Sequence, residues 1–119
     1  MISPDQLQEM FDAIRTNPKV GWNVDGVCLW GYFFTDRDET RLAAAASSLS
    51  RFGYRVVGLL HPTPEDDDQG IIVLHVEKEE QHDVGSLHKR NTELYHLATQ
   101  LGLESYDGMD VGPVEAPGA

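Results

Sequence analysis

Apolar positions along the chain switch between helical and strand periods. Ser3-Pro4-Asp5-Gln6 reads as a helix start, with serine as cap, proline at the first helical position and glutamine completing a capping box. Leu7, Met10, Phe11 and Ile14 follow at i, i+3, i+4, i+7, so a first helix over residues 4–17 has one apolar face. Asn17-Pro18 ends it, because the residue before a proline is pushed out of the helical region. Residues 21–25 form a connector. Val27 to Phe34 (VCLWGYFF) is hydrophobic at odd and even positions alike, which predicts a central strand covered on both faces. Thr35-Asp36-Arg37-Asp38 offers an acidic capping box for a second helix. Leu42, Ala45, Ala46, Leu49 and Phe52 line one face of that helix, and Gly53 suits its C-terminal cap.

Tyr54 to His61 and Gly70 to Lys78 predict two further strands, paired as a hairpin across an acidic loop that opens at Pro62. Asp83 is placed to cap a third helix, on which Leu87, Asn91, Leu94, Ala98 and Leu101 recur, and Gly102 ends it. Ser105 to Val114 predicts a last strand, restricted to a sheet edge by its glycines and proline. Residues 115–119 read as a loose tail. After the first helix the order is β-α-β-β-α-β, the split arrangement of the ferredoxin-like fold. The fold class expected is therefore α+β: a two-layer sandwich with an antiparallel sheet in the order 4-1-3-2, two helices on one face, and an extra N-terminal helix. The apolar second face of the first strand then needs a cover, which the N-terminal helix or a second subunit in a homodimer supplies. No repeat and no linker divides residues 1–119, so the expectation is one domain with its core over about 25–112.

Composition narrows the class. A chain of 119 residues that is 40% hydrophobic can build a core without metal or disulfide staples. No run of about 18 apolar residues exists, so no membrane span is expected. Cys28 is the single cysteine; it cannot form an internal disulfide and reads as a small buried hydrophobe. Met1 to Asp5 carries no basic segment leading into an apolar one, which points to the cytoplasm.

Charge changes the picture more. Nine bases stand against twenty acids, giving −11. Residues 62–83 hold eight acids and one base, and residues 104–119 hold four acids and none, so these two stretches carry the whole imbalance. Such a chain is repelled by phosphates, which disfavours direct nucleic-acid binding. Solvated loops account for the acids without any partner. If a partner exists, a basic protein surface is its natural chemistry, with Asp66, Asp67 and Asp68, and Glu77, Glu79, Glu80 and Asp83, steering the encounter.

Chemistry-bearing motifs are sparse. The histidines at 61, 75, 82, 88 and 96 match no zinc spacing and read as solvent-facing side chains. Asp66 to Asp68 lacks the glycine and distal glutamate of a calcium loop. There is no glycine-rich phosphate loop, no G-x-S-x-G and no HExxH. The expectation is a non-enzymatic protein with no catalytic residue, metal or cofactor. Tyr106-Asp107-Gly108 reads as a turn in which Tyr106 packs near the third helix, Asp107 bonds turn amides and Gly108 takes a positive φ. The alternative puts that turn at a partner-binding edge. Asn91 interrupts an apolar helix face and can bond to it as a satisfied buried polar group. Trp30 reads as core, whereas Trp22 is either an interface anchor or packed on the first helix.

Three segments together resemble a known family. They are Val27 through Phe34 with its acidic turn, Ala46 through Leu49 leading into Phe52-Gly53-Tyr54-Arg55-Val56, and Leu101-Gly102-Leu103-Glu104-Ser105-Tyr106-Asp107-Gly108. This pattern is similar to the regulator of ribonuclease E activity B (RraB) family, over about residues 25–112. The family usually has tryptophan after the last glycine, where this chain has Met109. The resemblance implies an acidic ferredoxin-like protein that binds ribonuclease E and inhibits it. A small acidic immunity-type protein, or another interaction module with a different protein partner, is the alternative.

Overall fold

The computed structural model describes residues 2–62 and 70–114. In chain order they form α1 (Pro4–Thr16), β1 (Val27–Asp36), α2 (Glu39–Arg51), β2 (Arg55–Leu60), β3 (Ile72–Gln81), α3 (Val84–Gln100) and β4 (Ser105–Gly112). The class is α+β: one four-stranded sheet, antiparallel at every pairing, with three helices. The sheet order is β2-β3-β1-β4, which reads β4-β1-β3-β2 from the other edge. The long aromatic strand and its acidic partner are central, and the glycine-rich last strand is at an edge. Asp66 to Asp68 and the tail at 115–119 lie outside the described residues.

Local chemistry sets the helix ends. Ser3 accepts from the Gln6 amide while the Gln6 side chain accepts from the Ser3 amide, so both halves of the α1 capping box form. Asp83 and Ser86 form the same reciprocal pair at α3. α2 and α3 both end in the αL device. Gly53 (φ 91°) and Gly102 (φ 71°) turn the chain, and Tyr54 and Leu103 send their amides back to Leu49 and Ala98. The start of α2 differs from expectation. Its N-cap is Asp38, which accepts from the Arg41 amide, and not Thr35. Pairing with β3 carries β1 through Asp36, so Thr35 stays in the strand, bonded to the Ser105 hydroxyl. A short-range capping pattern loses to long-range strand pairing.

The core lies between the sheet and the helices. On β1 the even residues Cys28, Trp30, Tyr32 and Phe34 are fully buried beneath Leu42 and Leu49 of α2, Leu87 and Leu94 of α3, and Leu7 and Phe11 of α1. The Phe11 and Trp30 rings sit 6.0 Å apart, and α1 packs on α3. All three helices therefore share one side of the sheet. Among the described residues nothing covers the second face of β1, and α1 is not the cover expected for it. Its apolar stripe is spent on Trp30 and α3, which leaves the opposite sheet face open. Trp22 is half-buried against the core, and Cys28 is buried, its thiol pushed up by burial.

Candidate partner-binding face

The two sides of the sheet handle charge differently. On the helix side a polar network is closed on itself. Glu80 comes from β3, His82 follows that strand, Arg90 projects from α3 and Tyr32 from β1. Glu80 Oε1 accepts from Arg90 Nη2 at 2.9 Å and Oε2 from Arg90 Nε at 3.2 Å; a third bond joins Oε2 to the His82 ring. The Tyr32 hydroxyl lies 3.4 Å from both Glu80 and His82, and His82 Nδ1 meets the Ser86 hydroxyl at 3.0 Å. Burial alone raises the Glu80 carboxyl, but the bonds from His82 and Arg90 outweigh it and hold the group below its ordinary range. Burial drives the Tyr32 phenol well above its normal value and that of neighbouring Tyr54 up to about 12. No buried side-chain polar atom among the described residues lacks a partner. This network fastens β3 to α3. His82 is buried in it, a departure from the solvent-facing expectation.

The acidic residues singled out from the sequence therefore separate. Strand alternation sends Glu77 and Glu79 to the open face and Glu80 to the core side. Asp83 caps α3, and backbone and side-chain bonds with Ser86 hold its carboxyl low. Tyr106 is buried; its hydroxyl donates to Asn91 Oδ1 at 2.6 Å while Asn91 Nδ2 reaches Met109 Sδ at 3.5 Å. Asn91 is the satisfied buried polar group the sequence suggested. Tyr106-Asp107-Gly108, however, lies inside β4 and not in a turn. Phe33 pairs with Gly108 and Phe34 with Tyr106, so Asp107 is the extra residue of a β-bulge, exposed at the sheet edge, and Gly108 takes φ 126°.

The open face has its own architecture. Gly31 sits at its centre on β1, opposite Glu77 of β3 and Asp110 of β4. A Cβ on Gly31 would clash with Asp110 Oδ1 and lie 2.8 Å from His75 Nε2, so both side chains lean over this one glycine. The His75 ring stacks on Phe33, with centroids 4.4 Å apart and planes at 19°. Arg55 reaches across from β2 to ion-pair with Glu77. Leu29, Gly31, His75, Glu77 and Asp110 line a shallow depression of about 220 Å³. Asp110, Phe33, Arg55 and Gly31 were not singled out from the sequence as site residues, and His75 was weighed there only as a metal ligand and read as solvent-facing. The one available signal was Gly31 itself, since glycine inside a central strand marks a close approach.

The chain is thus a small acidic α+β fold with its helices gathered on one side of the sheet and a shallow, charged depression on the other. In a comparison with known families, the model of the family described as regulator of ribonuclease activity B matches residues 5–111. The chain belongs to that family, and the match takes in α1 as well as the region from which the resemblance was read. A search of curated proteins returned no significant match. The family is one of regulators, which implies a protein partner. Among the described residues no helix is long and apolar enough to cross a membrane, and no cluster of side chains is arranged to hold a metal ion.

Proposed function

We propose that this protein is a non-enzymatic regulator that binds ribonuclease E, or a related ribonuclease, and inhibits it by docking an acidic surface onto a basic region of the enzyme. The carrying observation is the family match across residues 5–111, joined to a net charge of −11. We assign the sheet order to the ferredoxin-like arrangement with α1 added, and the working compartment to the cytoplasm. Glu77 and Glu79 on the open face and Asp107 at the bulge supply carboxylates to the partner, with Asp66, Asp67 and Asp68 adding long-range steering. Glu80, Asp83, Tyr106 and Gly108 support the face from within the fold.

The test is a ribonuclease E cleavage assay with this protein titrated in, using enzyme with and without its basic non-catalytic region. The expected result is inhibition that requires that region and fades as salt rises, because exposed charges are screened beyond about 8 Å at physiological ionic strength. Absence of both binding and inhibition at low salt overturns the proposal.

A further inference from the structure

The open sheet face carries the observations furthest. Nothing among the described residues covers it, yet Val27 is 59% exposed there beside half-buried Leu29 and Phe33. Its charges do not balance. Among the described residues, Glu77, Glu79 and Asp110 face a single cation, Arg55, and that cation is already paired with Glu77. Among the described residues, Glu79 and Asp110 have no ion-pair partner. Between Glu77 and Asp110 lies the Gly31 depression, walled on one side by the His75 ring, whose other partner is the stacked Phe33 ring.

We propose that this face seats a basic segment of a protein partner, with one arginine side chain entering the depression beside Gly31, between Asp110 and Glu77. This deepens the regulatory reading by naming the face and the chemistry of what it takes. A guanidinium is planar and weakly hydrated, so it stacks on a ring and forks onto a carboxylate together; an ammonium does neither as well. A second copy of this chain is a poor occupant, because the same unpaired carboxylates would meet across the two-fold axis. Nucleic acid is a poor one because phosphates are repelled. The glycine is part of the device: any side chain at position 31 would push Asp110 and His75 off the spot they share.

The experiment uses the full chain and a labelled twelve-residue peptide alternating arginine and serine, with its lysine counterpart as control. Binding is read by fluorescence anisotropy and mapped by backbone amide shifts. Asp110→Asn and Glu79→Gln are each expected to weaken arginine-peptide binding about five-fold, in the range for charge pairs at an interface. Glu9→Gln, which removes the same charge from an exposed site on α1, should change it less than about two-fold. Gly31→Ala meets only the ends of two flexible side chains, so it should fold and still weaken binding at least as much as Asp110→Asn. Shifts should fall on β1, β3 and β4, and the lysine peptide should bind more weakly. Shifts on the helices or at residues 63–69, equal losses in all variants, or self-association through this face at pH 7.5 would overturn the proposal. The two readings fail separately. Full ribonuclease inhibition by Asp110→Asn and Glu79→Gln removes the face and keeps the function. Peptide binding at Gly31 without any ribonuclease inhibition removes the function and keeps the face.

Discussion

Asn91 shows what a polar residue can do on an apolar stripe. It is fully buried on α3, where a leucine would fit the apolar stripe of Leu87, Leu94, Ala98 and Leu101, and it is kept there by Tyr106. Asn91→Leu leaves the Tyr106 hydroxyl without an acceptor in the core, a loss of about 2 kcal/mol. Tyr106→Phe orphans the Asn91 carbonyl oxygen at similar cost. The double substitution removes both partners and should cost clearly less than the sum, as seen in urea midpoints at constant slope. Strict additivity would mean that the pair is not coupled. Glu80 is the ionisable counterpart. Its folded-state carboxyl is held below the ordinary value, so the native state binds fewer protons than the unfolded chain near that range. The stability this group contributes is complete above the unfolded value, about pH 4.3, and is lost as pH falls through the lower folded one. Glu80→Gln should therefore lower stability by about 2 kcal/mol at pH 7 and flatten the decline between about pH 5 and 3. Thermal melts across that range decide it, and an unchanged pH slope would count against the network.

Element boundaries rest on backbone conformations that few residues tolerate. Gly53 and Gly102 occupy the left-handed position after α2 and α3. Alanine at either should cost about 1 kcal/mol through positive φ alone, since Lys78 and Arg41 carbons lie no closer than 3.6 Å to the added Cβ. Chemical denaturation of each variant checks this, and a neutral result would show that the turn relaxes. These signals were legible in the sequence because capping and C-terminal glycine chemistry are local: Ser3 with Gln6, Gly53 and Gly102 all act within a few residues. The start of α2 was not, because whether Thr35 caps or pairs depends on β3. The Tyr106-Asp107-Gly108 bulge was read as a turn for the same reason, since its register exists only against Phe33 and Phe34. The uncovered sheet face was hidden too. Periodicity marks β1 as apolar on both sides, but only the docking of α1 on α3 decides which side is left open. Glu77 and Glu79 were visible as acids, whereas the Gly31 site gathers residues from three strands that no local pattern joins.

At the scale of the whole molecule, charge controls association. The sequence isoelectric point is about 4.6, so the chain is strongly anionic at neutral pH. An isologous pairing through the open face would bring the Glu79 and Asp110 carboxylates of both copies into one interface, and that repulsion opposes self-association at neutral pH. The apolar part of the face remains: Val27, Leu29 and Phe33 gain from burial whenever the charge penalty falls. Lowering the pH toward the isoelectric point removes net charge and favours association. Sedimentation velocity should thus show a monomer at pH 8 and a rising dimer fraction near pH 5, still above the range where Glu80 loses its charge and the core weakens. Phe33→Asn removes the ring at the centre of the face and should hold the protein monomeric at pH 5. A dimer already present at pH 8 and indifferent to Phe33→Asn would place the self-contact elsewhere, with the exposed Val56, Val57 and Leu60 of edge strand β2 the next surface to probe.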